Sequence, residues 1–111
     1  MEGMRHIPPS MLDTFEARAG EAAAMLKCLA NPHRLLVLCQ LGAGEMQVSE
    51  LQQHIGLSQS ALSQHLARLR EDKLVSTRRE GTAVFYRIEN PAVAKIIATL
   101  ADIYCPPEDA S

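Results

Sequence analysis

The stretch Leu57-Ser58-Gln59-Ser60-Ala61-Leu62-Ser63-Gln64-His65-Leu66-Ala67-Arg68-Leu69-Arg70 reads as one short helix with two chemically different faces. Leu62, Leu66 and Leu69 recur at spacings of four and three, which places them on one apolar stripe. Ser58 is positioned to cap the helix start, just after Gly56 closes the segment before it. The positions between the leucines carry Gln59, Ser60, Ser63, Gln64 and Arg68, which are short hydrogen-bonding groups plus one cation. A face that is merely solvated is more often filled with Glu and Lys. This one suits base edges and phosphates in a major groove, with Ser58 and His65 as further DNA-facing candidates.

The flanking segments extend the pattern. Upstream, Val48-Ser49-Glu50-Leu51-Gln52-Gln53-His54-Ile55-Gly56 is a second short helix with Val48, Leu51 and Ile55 on one side. Joined through Gly56-Leu57-Ser58, the two make a helix-turn-helix. Downstream, Leu74-Val75-Ser76-Thr77-Arg78-Arg79 and Ala83-Val84-Phe85-Tyr86-Arg87-Ile88 are rich in β-branched and aromatic residues, with Glu80-Gly81-Thr82 as the turn. The expected fold is therefore mainly α with a β-hairpin wing (α+β), a winged helix-turn-helix. Arg78 and Arg79 flank the wing turn, and side chains alternate along a strand, so one of them faces DNA.

The chain has 111 residues, 47% hydrophobic, with two Tyr, two Phe and no Trp, so the expected core is aliphatic. A single domain is expected over 10–105, with flexible tails at 1–9 and 106–111. No run of eighteen apolar residues occurs and the start lacks a signal-like apolar stretch, which argues against a membrane partner and for a cytoplasmic protein. The net charge of −2 runs against a nucleic-acid partner. Its distribution is not uniform, however. From Ser58 to Ile88 six basic residues face three acidic ones, a local +3, while the rest of the chain carries −5. Local charge at the contact face governs phosphate binding.

Two terminal helices lie outside the winged-helix core. One runs from Asp13 to Ala30 with Phe15, Ala19, Ala22, Leu26 and Leu29 at helical spacing, and ends before Asn31-Pro32. The other follows Asn90-Pro91 with Val93, Ile96, Ile97, Leu100 and Tyr104 on one side. Between the first of these and Gly42 lies a helix through Leu35, Leu38 and Leu41. The terminal stripes are expected to pair across a two-fold axis as dimerisation helices, or else to fold back on their own core.

Leu26-Lys27-Cys28-Leu29-Ala30-Asn31-Pro32-His33-Arg34-Leu35, Val48 to Leu51, Leu57 to Arg70 and Leu74 to Tyr86 together resemble the ArsR family of bacterial repressors. The resemblance spans roughly residues 15 to 105. It implies a homodimeric winged helix that leaves an inverted-repeat DNA operator when an inducer alters the dimer. Many members sense metals through thiolates on the helix before the recognition helix, or through His and carboxylates on the last helix. Here 45–55 contain no Cys and the last helix no His, and His33, His54 and His65 fall on three different helices without ligand spacing. No metal site and no cofactor are expected.

Sulfur remains as a sensor. Cys28, Cys39 and Cys105 should be reduced at rest in a cytoplasmic chain. Cys39 within Leu-Leu-Val-Leu-Cys-Gln-Leu and Cys105 after Ala-Asp-Ile-Tyr resemble the persulfide- and redox-responsive branch of the family, which pairs those two positions. That resemblance implies release of operator DNA when a reactive sulfur species or oxidant bridges Cys39 and Cys105. Cys28 has no counterpart there and is read as a core residue. Both paired cysteines lie near helix C-termini, where the helix dipole disfavours a thiolate. The alternative is a thiolate metal-responsive repressor using all three cysteines. An enzyme lacks support: no paired carboxylates, no nucleophile with an evident base and no phosphate loop are seen. A winged helix that only binds proteins would show no salt-dependent DNA affinity.

Overall fold

Leu38, Leu51, Leu62, Leu66 and Leu69 lose essentially all contact with solvent, and the elements carrying them wrap around that cluster. The structure, a computed structural model, describes residues 7–105. Five helices and a hairpin follow in order: α1 (Pro9–Leu29), α2 (Pro32–Leu41), α3 (Val48–Ile55), α4 (Gln59–Glu71), β1 (Val75–Glu80), β2 (Ala83–Ile88) and α5 (Pro91–Tyr104). This is the expected winged helix-turn-helix with an extra helix at each end. No helix among the described residues is long and apolar enough to cross a membrane.

Local chemistry sets the element ends. Asn31 accepts from the amides of His33 and Arg34 at 2.9 and 3.1 Å, and Asn90 accepts from Ala92 at 2.9 Å. In both helices Pro follows at the first helical position, where its missing N–H leaves no bond unmade. Glu50 accepts from the Gln47 amide at 2.9 Å at the start of α3. Gly56 ends α3 in the left-handed region (φ 79°), a conformation an L side chain resists. The end of α4 uses a non-glycine instead. Lys73 adopts φ 63°, its amide donates to Arg70 and the Leu74 amide reaches back to Leu69 at 2.9 Å. Buried Leu69 and Leu74 complete that motif, so packing holds Lys73 in an unfavoured conformation.

α2 sits at the centre and touches α3, α4, α5 and β2. The hairpin pairs Val75 with Ile88 through to Glu80 with Ala83, antiparallel, and turns at Gly81 with φ 64°. Its base is stitched to the loop before α3 by two backbone bonds between Met46 and Tyr86, 2.8 and 3.1 Å.

One expectation needs correction. α1 begins at Pro9 rather than Asp13, because Pro8-Pro9 opens the helix and serves as its first turn. Residue 9 is thus helical; of the expected tails, 1–6 and 106–111 lie outside the described residues. The apolar stripe of α1 is also mostly uncovered. Only Cys28 and Leu29 are buried, while Phe15 and Leu26 are 56% and 57% exposed. α1 projects from the core, which is why the radius of gyration is 16.4 Å, against about 13 Å for a compact domain of about this size.

Leu66→Ala should cost about 2–5 kcal/mol in urea unfolding, because it opens a cavity among side chains with no exposure. Asn31→Ala should cost only about 1 kcal/mol for the lost cap. Equal losses would mean that the core is less tightly packed around α4 than its burial indicates.

Candidate nucleic-acid interface

Burial of Leu62, Leu66 and Leu69 fixes the rotation of α4 about its own axis. The opposite face then carries Gln59, Ser60, Ser63 and Gln64, all exposed. Ser58 sits at the N-cap, and its Oγ accepts from the Ala61 amide at 3.1 Å. Its hydroxyl is therefore already engaged in starting the helix. Gln59, Ser60, Ser63 and Gln64 have the donors and acceptors that base edges require.

Two of the expected contact residues are turned to other partners. His65 is half-buried, and its ring centroid lies 5.6 Å from that of His33 at the start of α2. It lies against the neighbouring helix. Burial, and then the nearby Arg34 and His33 charges, push its pKa below the ordinary value. Arg68 donates through Nε to Asp72 Oδ2 at 2.9 Å, an i,i+4 pair on the flank nearest the end of α1. Arg68 and the Cys28 thiol together hold the Asp72 carboxyl below its ordinary pKa.

The wing places its two arginines on opposite faces. Thr77 pairs with Tyr86 and Arg79 with Val84, which puts these four on one face of the hairpin. Tyr86 lines a cleft with Ser63, Ala67, Arg70 and Glu71 of α4, so this is the face toward the recognition helix. Arg79 is exposed there and makes no ion pair among the described residues. Arg78 lies on the other face. Its Nε and Nη2 donate to Glu45 Oε1 at 3.0 and 2.7 Å, and its guanidinium stands 4.7 Å above the Phe85 ring.

Arg70 is a residue the sequence reading passed over as a contact. It is exposed on the same α4–wing cleft, and the signal was present, since seven residues separate it from Ser63 on a 3.6-residue helix. His33 and Glu45 gave no such signal, because their partners are remote in sequence.

All three cysteines are free thiols. Cys39, two residues before the end of α2, and Cys105, the C-cap of α5, are exposed. Cys28 is 1% exposed, and burial, followed by its hydrogen bond to Asp72, pushes its pKa up to about 11. At neutral pH it is a protonated, inert thiol. Among the described residues no three His, Cys, Asp or Glu side chains converge as a metal site would require.

A helix-turn-helix with a polar outward face, backed by a wing bearing a free arginine, defines a winged-helix DNA-binding protein. Residues 31–77 match the family model described as bacterial regulatory protein, arsR family, and the chain belongs to that family. It is 47% identical over 96 residues to the HTH-type transcriptional regulator YgaV of Escherichia coli, covering 86% of this chain and 97% of the relative. The structure of reduced HlyU from Vibrio cholerae, a protein called a transcriptional activator, superposes with a TM-score of 0.78 at 46% identity, covering 83% of this chain and 97% of that one. That of the transcriptional repressor BigR from Xylella fastidiosa gives 0.80 at 42% identity, covering 86% and 97%. The protein is a DNA-binding transcriptional regulator and not an enzyme.

The His65 site has a pH signature. Its folded pKa lies below that of the unfolded chain, so on acidification the unfolded state takes up the proton first. The contribution is intact above the ordinary histidine value and is lost as pH falls from there through the folded value. The urea midpoint should drop between about pH 7.5 and about pH 5.5, and His65→Gln should remove part of that drop. An identical pH profile in the variant would show that His65 is not the titrating group.

Proposed function

We propose that this regulator is a homodimeric repressor that reads an inverted-repeat operator and releases it when sulfur bridges Cys39 and Cys105. The observation that carries the DNA reading is the exposed run Gln59, Ser60, Ser63 and Gln64 beside the wing face bearing Arg79. Gln64 is the first choice for a base contact, since its amide offers a donor and an acceptor to an adenine edge. Arg79, and Arg70 across the cleft from Tyr86, serve as phosphate contacts.

The dimer rests on surface that one copy leaves bare. Met11, Leu12, Phe15 and Leu26 on α1 are exposed, as are Ile103 and Tyr104 at the end of α5. A projecting 21-residue helix with uncovered apolar side chains gains little from its own hydrogen bonds and much from a second copy. Two wings and two recognition helices would also offset the modest +3 charge of a single DNA-binding region.

The sensor reading is supported by the division among the thiols. Cys39 and Cys105 are the accessible pair, Cys28 is buried and protonated, and α2 packs against α5. The solved structure of HlyU from Vibrio cholerae is of its reduced form, which fits a redox response in that relative. In the proposed step one thiolate attacks a sulfane sulfur of a polysulfide, leaving a persulfide and a polysulfide shortened by one sulfur. The second thiolate then attacks the first cysteine's own Sγ and displaces the outer sulfur as hydrosulfide, closing a disulfide, so the two thiols lose two electrons to the polysulfide. The bridge would tie α2 to the end of α5 and change the spacing of the two recognition helices. A tenfold loss of occupancy needs a penalty of about 1.4 kcal/mol on the DNA-bound state.

Binding isotherms on operator and random duplexes test the DNA face. Gln64→Ala should cost about 1–3 kcal/mol on the operator and much less on random DNA. Arg79→Ala should flatten log affinity against log salt by about one unit per protomer. Equal losses of Gln64→Ala on both duplexes, with an unchanged slope for Arg79→Ala, would contradict this interface.

The thiols have a separate test. Cys39→Ser and Cys105→Ser should bind DNA normally when reduced and stay bound in polysulfide, whereas Cys28→Ser should still be released. Release of Cys105→Ser like the unaltered protein would rule out the paired mechanism.

A further inference from the structure

Glu45 stands in the loop between α2 and α3, outside every DNA-contacting element, yet two wing arginines converge on it. Its Oε1 accepts from Arg78 Nε and Nη2 at 3.0 and 2.7 Å, and its Oε2 lies 4.0 Å from Arg87 Nη1. Arg78 is further confined from two sides, 4.7 Å above the Phe85 ring and 3.4 Å from Glu80 Oε1. Arg87 in turn donates to Ser76 Oγ across the hairpin at 3.2 Å. The next residue after Glu45 is Met46, whose backbone already pairs with Tyr86. One short loop segment therefore grips the hairpin twice, by backbone at Tyr86 and by side chain at Arg78 and Arg87 on either side of that register position.

The backbone grip lies in the plane of the hairpin, along the edge of β2, and the side-chain grip lies on one face. The Tyr86 side chain lines the cleft with α4 on one face, while Arg78, which covers Phe85, and Arg87 face Glu45 on the other. A two-stranded ribbon held only at its base is marginally stable and free to twist. A bidentate carboxylate–guanidinium fork restrains it, because its planar geometry tolerates little rotation.

We propose that Glu45 is a wing-positioning residue: by clamping Arg78 against Phe85 it orders the hairpin before DNA arrives, and so aims Arg79 on the opposite face at the DNA backbone. Arg78 is then a strut rather than a phosphate contact. The pair is partly exposed, with 30% of the Glu45 and 41% of the Arg78 side chain accessible, so its contribution is modest per wing and doubled in a dimer. Pre-ordering works by removing the loop-ordering cost from the binding step. The proposal rests on the reading of Arg79 as a phosphate contact, which its own salt slope tests independently.

The experiment is a double-mutant cycle on operator affinity and its salt dependence, using Glu45→Ala, Arg78→Gln and the double variant of the full chain. Each single variant should weaken operator binding by roughly twofold to tenfold for the dimer, with the salt slope unchanged. The double variant should be no weaker than either single one. Amide exchange at 78–85 in the DNA-free protein should quicken in all three, with the helices unaffected. A slope that falls by about one unit per protomer in Arg78→Gln would make Arg78 a phosphate contact itself and overturn the proposal. Tighter binding by Glu45→Ala would overturn it too, showing that Glu45 only repels DNA. If Arg79→Ala leaves the slope intact while the cycle behaves as described, the wing-contact reading fails and the clamp stands as a stability device alone.

Discussion

The buried stripe of α4 is the constraint on which the rest depends. Leu62, Leu66 and Leu69 are together sealed against α2 and α3, so the helix cannot roll without exposing leucine or burying glutamine. Each alternative costs on the order of kilocalories, through lost apolar burial or an unsatisfied amide. The direction of every outward side chain follows from that. Ser58 starts the helix at a defined residue, and the Lys73 turn ends it at another, so length and register are fixed along with rotation. A face assembled this way is ready before its ligand arrives, which is what specific readout of base edges needs.

Charge is managed more tightly than a residue count suggests. Of the basic residues in the DNA-binding region, Arg68 is held by Asp72, Arg78 by Glu45, and Arg87 lies near Glu45 and bonds to Ser76. Arg70, Lys73 and Arg79 make no ion pairs among the described residues. The cations that remain unpaired cluster around α4 and the wing, and the others serve the architecture. Such a surface has a small electrostatic pull on arbitrary DNA and must draw discrimination from hydrogen bonds. The buried Cys28 belongs to the same arrangement. It lines one cleft with Arg68 and Asp72, and Arg34 of α2 donates to its carbonyl at 2.7 Å, so the last turn of the projecting helix is anchored to the core.

Periodicity and turn chemistry made most of the fold legible. The leucine spacing, the two Asn-Pro starts, Gly56 and the alternating hairpin are local signals, and each element stands within a few residues of where these put it. The start of α1 was misplaced because Pro8-Pro9 reads equally well as a breaker or as a first turn, and only the following residues' backbone decides. The exposed face of α4 was legible at Gln59, Ser60, Ser63 and Gln64 for the same local reason. The partners of His65 and Arg78 were not, because nothing nearby in sequence announces His33 or Glu45, whereas the Arg68–Asp72 pair is a local i,i+4 signal. Glu45 lies 33 residues from Arg78, and His33 lies on a different helix from His65. Cys28 as a core residue was readable from its position at the end of a helix, but its link to Asp72 was not.

Selection of bound duplexes from a randomised pool by the reduced protein tests the central claim most directly. Two pre-set recognition helices related by a two-fold axis should enrich an inverted repeat, with half-sites on one face of the duplex and roughly whole helical turns apart. Enrichment of a single asymmetric site, or no enrichment at all, would contradict the account of a dimer that reads sequence through the outward face of α4.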